Sequence, residues 1–155
     1  MNLSDHFTYE EAIATQHREY IEMNKPSDAI HTTMVMIAIR MEKVRALLGK
    51  PIHINSWYRC PQLNAAIGGA KNSDHMTGSA VDFICPDFGN PLDICKHIID
   101  NHQLIRFKQL ILEHTWVHIS WDTIPGVPPK LQVLSLLKSG GYGNGLCNTD
   151  GVAYT

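Results

Sequence analysis

Apolar residues recur along this chain in two periods, and the changes of period mark its elements. Ile30, Met34, Ile37, Met41, Val44 and Leu48 fall three or four apart. That spacing predicts an amphipathic core helix, which Ser27 or Asn24 can cap and Gly49-Lys50-Pro51 stops. The methionines on its stripe read as packing rather than as a soft-metal groove. Leu92, Cys95, Ile98 and Ile99 predict a second amphipathic helix behind Asn90-Pro91, an N-cap and first-turn pair. Thr8-Tyr9-Glu10-Glu11 forms a capping box with Phe7 and Ala12 at the staple positions, so a short helix is expected from about Tyr9 to Thr15. Pro61 opens a brief helix that ends near Ile67.

Elsewhere the period is two. Ile52 to Ser56 alternates with Ile52 and Ile54 inward, and Ser79 to Ile84 sends Ala80 and Asp82 to one face and Val81 and Phe83 to the other. Lys108 to Glu113 and Trp116 to Trp121 are separated only by His114-Thr115, a length suited to a hairpin although the pair is not a favoured turn sequence. A two-residue turn there sets Glu113 opposite Trp116 and on the same face as His118. Beyond Pro125-Gly126-Val127-Pro128-Pro129, the segment Leu131 to Leu137 can add a last strand. The glycine-rich residues 139–155 lack periodicity and are expected to be loop or poorly ordered. No internal repeat is present, and 155 residues make one domain, with its core expected at 3–138 and a tail at 139–155.

Composition narrows the classes of function. The chain is 44% apolar and 18% charged, as a globular protein is, and its net charge of -2 offers no footprint for nucleic acid or an anionic membrane. No apolar run reaches the length of a membrane span, so stable membrane insertion is not expected. The start, Met1-Asn2-Leu3-Ser4-Asp5-His6, has neither a basic nor a hydrophobic leader region, which leads us to expect cytoplasmic accumulation. Cys60, Cys85, Cys95 and Cys147 are not closely paired and read as reduced, structural residues.

Nine histidines raise the prospect of metal chemistry, and one stretch concentrates it: Ser73-Asp74-His75-Met76-Thr77-Gly78-Ser79-Ala80-Val81-Asp82. An imidazole and a carboxylate stand seven positions apart, with a glycine where a loop must bend into a strand. With nine His and nine Asp, about half such a pair is expected by chance at any fixed offset, so the surroundings carry the reading. The strand pattern puts the Asp82 carboxylate among small neighbours, where a metal and a substrate have room. Catalytic zinc takes three protein ligands and keeps a fourth position open, and two of the three can lie here. Arg59, at a strand-to-helix junction, can hold a carboxylate or oxyanion bidentately, or form a surface ion pair. Asp74 reads as a turn residue or as an orienter of a ligand imidazole. His6, His17, His97 and His102 read as surface residues.

Ser56-Trp57-Tyr58-Arg59-Cys60-Pro61, Asn64, Ala66, Gly68-Gly69-Ala70, Ser73 to Asp82, Gln109 to Glu113 and Trp116 to Ser120 together resemble the zinc D-Ala-D-Ala carboxypeptidases and related phage endolysin peptidases over roughly residues 3–121. The resemblance implies an α+β domain, a small antiparallel sheet backed by helices, of the kind those peptidases share with the hedgehog signalling domain. It implies zinc held by His75, Asp82 and His118, Glu113 as general base, and Arg59 on the substrate carbonyl or carboxylate. Tyr58, Ser73 and Trp116 become candidate substrate-binding residues. In some members the catalytic carboxylate stands three residues before the last ligand histidine, where this chain has Thr115; Glu113 stands five before it, and His114 is a rival acid/base. The expected activity is zinc-dependent hydrolysis of D-amino-acid-containing peptide bonds in the peptidoglycan stem peptide. A phage-type endolysin would reach the wall through a separate holin-like protein. The alternative is a non-catalytic, zinc-stabilised wall-binding or structural module of the same fold.

Overall fold

The computed structural model describes residues 1–155. Thr8 caps α1 (Tyr9–Ile13) through the reciprocal bonds of the capping box. Ser27 caps α2 (Asp28–Leu48), and Gly49 ends it in the left-handed region at φ 64°. Asn24 is therefore not the cap. It is fully buried, donating from Nδ2 to the carbonyls of Ile13 and Tyr58 and accepting the Cys60 amide at Oδ1, so it fastens the α1 end to the segment that carries Arg59.

The chain continues through β1 (His53–Ser56), α3 (Pro61–Ala66), a 3-10 turn (Asp74–Thr77) and β2 (Ala80–Ile84). It then forms α4 (Pro91–Asp100), α5 (His102–Ile105), β3 (Gln109–Leu112), β4 (Val117–Ser120), β5 (Gln132–Leu136) and β6 (Tyr142–Asn144). Asn90 and Asp93 cap α4 reciprocally behind Pro91. The six strands form one sheet in the order β1-β2-β4-β3-β5-β6. The α+β class and the helix-backed sheet are as expected, and four of the five pairings are antiparallel. The β3–β5 pairing is parallel. The proline-rich segment after β4 carries the chain back to the start of β3, so that β5 leaves in the same direction.

Most of residues 139–155 is loop, as the missing periodicity predicts, but the segment also adds to the sheet. Tyr142–Asn144 pair with β5, Cys147 and Ala153 form an isolated bridge, and Cys147 is buried. Three-residue strands are too short to show a period of two, which is why the pattern missed β6.

The sheet has two unlike faces. Val81, Phe83, Leu110, Val117 and Ile119 point to the helices and join Met34, Ile37, Met41, Ile94 and Ile98 in the core. The register puts Ser56, Asp82, His118 and Ile111 side by side in one row on the other face. That face carries the chemistry.

Candidate metal centre

His75 reaches this face from the 3-10 turn, and three contacts hold the turn. The Trp57 indole donates to the Gly78 carbonyl at 2.8 Å, the Arg59 amide donates to the His75 carbonyl at 3.2 Å, and Lys108 Nζ donates to both Asp74 carboxylate oxygens at 2.8 and 2.9 Å. Asp74 is thus a turn residue, with its main-chain oxygen accepting from Ser79, and its carboxylate serves Lys108 rather than an imidazole. Gly78 ends the turn at φ 74°, and a Cβ there would meet Met34 Cγ at 2.8 Å. Ser73 Oγ caps the turn by accepting the His75 amide, which gives it a local structural task beside any contact with substrate.

His75, Asp82 and His118 come together as one buried group, with one ligand atom of each within 4.8 Å of the others. His75 Nδ1–H donates to the Trp57 carbonyl at 2.6 Å, since a carbonyl can only accept. That bond fixes the tautomer and leaves the lone pair of Nε2 facing Asp82 Oδ1 at 3.2 Å. His118 Nδ1 lies 2.8 Å from the same oxygen. For zinc with bonds of about 2.0–2.1 Å, tetrahedral ligand atoms stand roughly 3.3 Å apart. These spacings are slightly tighter than that, and a small outward shift admits the ion. The donor set, two imidazoles and a carboxylate, fits a divalent metal of the zinc type.

The protonation states suit ligation. Burial lowers the His75 pKa, with Asp82 only partly opposing, so the ring is held neutral. Burial alone would raise the Asp82 pKa, but the facing imidazoles of His75 and His118 outweigh it, His75 through the charge it carries once protonated, and hold the carboxyl well below the usual carboxylate range. Arg59 adds to this by donating from Nη2 to Asp82 Oδ2 at 2.7 Å, while its Nε donates to Ser56 Oγ at 2.8 Å. The ion pair it forms with Asp82 is largely buried, so Arg59 is not a surface ion pair. Its Nη2 positions the oxygen of Asp82 that faces away from the imidazoles, and its Nε is held by Ser56.

Glu113 stands on the same face. Its amide donates to the Trp116 carbonyl at 3.1 Å, which closes the two-residue turn anticipated from the spacing. Ile111 pairs with His118, so Glu113 is a diagonal neighbour of that histidine, roughly 7–8 Å away at Cα. This explains how a carboxylate five residues before His118 comes into range. Burial and then the Asp82 charge raise the Glu113 pKa, with His118 and Arg59 opposing, so its carboxylate is a stronger proton acceptor than an exposed one. His114 is exposed at the turn.

Tyr58 and Trp116 line a cavity of about 270 Å³ together with Ser56, Arg59, Asp82 and His17. A larger hollow of about 660 Å³ between α2 and the Pro125–Pro129 loop shares none of these residues. Sequence reasoning did not find Ser56, Lys108 or the Trp57 carbonyl, whose parts depend on register and loop path. Ser56 opposite Asp82 could have been found only from the β1–β2 pairing.

A family model described as Peptidase M15 matches residues 5–120 of the chain, a span that contains His75, Asp82, Glu113 and His118. A search of curated proteins finds no match.

Proposed function

The chain belongs to the Peptidase M15 family, the zinc D-Ala-D-Ala carboxypeptidase-like peptidases, and from that footing we propose that it hydrolyses D-amino-acid-containing peptide bonds in the peptidoglycan stem peptide. The observation that carries the reading is the buried His75–Asp82–His118 group with a half-buried carboxylate of raised proton affinity beside it. Zinc held by these three residues would act as a Lewis acid on the scissile carbonyl and lower the pKa of a water there towards 7. Glu113 takes the proton of the attacking water and returns it to the leaving amine as the C–N bond breaks. Arg59 keeps Asp82 anionic and oriented, and it lines the same cavity as Tyr58 and Trp116, which can meet the substrate there.

We place the enzyme among phage-type endolysins that accumulate in the cytoplasm and reach the wall after a separate holin-like protein opens the membrane. No helix is long and apolar enough to cross a membrane. The alternative, a non-catalytic zinc-stabilised wall-binding or structural module, gives no task to Glu113, whose half-burial beside Asp82 carries a desolvation cost. Both readings meet in one experiment: purified protein is applied to peptidoglycan and turbidity is followed with chelator, then with added zinc. Cleavage that is lost on chelation and restored by zinc is expected. Glu113→Gln should keep its zinc and lose at least about 100-fold in rate. Full activity of that variant, or failure of His114→Ala in its place, would remove Glu113 from the mechanism.

A further inference from the structure

The family match ends at residue 120, but the sheet does not. β5 and β6 extend it past β3, and their registers align residues of the metal-site face with residues outside the match. In the row of Asp82, Ile111 is followed by Leu134 and Asn144. In the next row, the parallel register continued by one residue sets Leu136 beside Glu113, and Leu136 pairs with Tyr142. Tyr142 therefore stands two strands from Glu113 on the same face, at about 10 Å between Cα atoms.

This surface has an uneven relief. Leu134 and Leu136 are half-buried, whereas Tyr142 is 54% exposed and Asn144 is exposed at the outer edge. On the opposite face of the ribbon Gly143 lies against Cys147 and Leu137, so part of the tail packs there. The Tyr142 pKa is raised by partial burial and then by the Glu113 and Asp82 charges, which puts the phenol within the field of the site and keeps it protonated as a donor.

We propose that the β5–β6 ribbon is a substrate subsite, with Leu134 and Leu136 as an apolar floor and Tyr142 as a hydrogen-bond donor to the peptide, making Tyr142 a specificity-determining residue. The proposal rests on the peptidase reading above. Its occupant is the substrate itself, because the floor is continuous with the row that carries His118 and Asp82. A span of about 10 Å takes about three residues of extended peptide, so the subsite favours substrates that continue at least that far from the scissile bond on the Glu113 side.

The test uses the zinc-loaded full chain and two sets of stem-peptide analogues, extended by one or by three residues on either side of the cleaved bond. Tyr142→Ala should raise KM at least tenfold more for one of the three-residue extensions than for its one-residue counterpart, with kcat changed much less. Tyr142→Phe, which keeps the ring and loses the hydroxyl, should lie between the wild type and Tyr142→Ala. Equal KM changes for long and short peptides, in a variant with unchanged zinc content and melting temperature, would overturn the subsite. If Tyr142→Ala does not fold, Tyr142→Phe carries the comparison alone. Should the wild type cleave none of these peptides, the peptidase reading fails separately. Calorimetric titration of the long peptides then decides the subsite: weaker binding to Tyr142→Phe supports it, and equal affinity or no binding overturns it.

Discussion

At the scale of single residues, the site is a set of protonation states imposed by burial and fixed by hydrogen bonds. His75 donates from Nδ1 to a carbonyl and is kept neutral, while Asp82 is kept anionic between two imidazoles and a guanidinium. Both folded-state pKa values lie below the ordinary values of 6.5 and 3.8. The unfolded chain therefore binds more protons than the folded one as pH falls through these ranges, and stability must fall with it. For chelator-treated protein, the contribution of His75 is fully present above about pH 6.5 and is lost below it; that of Asp82 is lost below about pH 4. Urea unfolding between pH 8 and 5 should show the first of these losses. His75→Asn, whose side-chain amide can still donate to the Trp57 carbonyl, should flatten the profile. A wild-type profile already flat over that range would mean that His75 is not held neutral. His75 and Asp82 were legible as a pair because a glycine and an alternating strand constrain where each points, whereas the hairpin only set His118 beside Glu113 and the family resemblance joined it to the other two. Arg59 was legible only in part: its place at a junction was plain, but its two partners depend on the β1–β2 register, and a guanidinium suits an anionic substrate and an anionic ligand residue equally well.

At the scale of elements, the helices behind the sheet decide where the ligands sit. The turn that carries His75 is pinned from behind by α2, and Gly78 is the contact point: its φ of 74° disfavours any side chain, and Met34 and Ile30 fill the space a Cβ would need. The strain of a left-handed alanine is about 1–2 kcal/mol, and overpacking against α2 adds about 1–3 kcal/mol. Gly78→Ala should therefore melt several degrees lower than the wild type, at roughly 2–4 °C per kcal/mol for a chain of this size, and should bind zinc more weakly because His75 shifts with the turn. A melting temperature within a degree of the wild type would show that the turn is not braced by α2. Helices were the most legible elements, since α2 combines a stripe, a cap and a stop, and α4 a stripe and a cap. Asn24 was misread because an asparagine oxygen serves a helix cap and a buried amide equally well; only the return of the Cys60 segment distinguishes them. The parallel β3–β5 pairing and β6 were not legible, because strand direction is set by the path of the connecting chain and a three-residue strand has no period to read.

For the whole molecule, the important division is between the two faces of the sheet. One face is closed by helices into a cluster of 25 buried residues that includes none of His75, Asp82, Glu113 or His118. The other face holds the ligand group. Folding is therefore driven by apolar burial on the side without the metal, unlike small zinc modules whose binding energy is their folding energy. Loss of the ion removes only the linkage term, about 4 kcal/mol when free zinc is a thousandfold above its Kd. Exhaustive chelation should then leave the far-ultraviolet circular dichroism of the helices intact and the melt cooperative, at a lower temperature that climbs with added zinc. Peptide cleavage, by contrast, should vanish completely and return with the metal. If chelation instead erased the helical signal, the core face could not stand alone, and the site would have to be counted among the elements that hold the fold together.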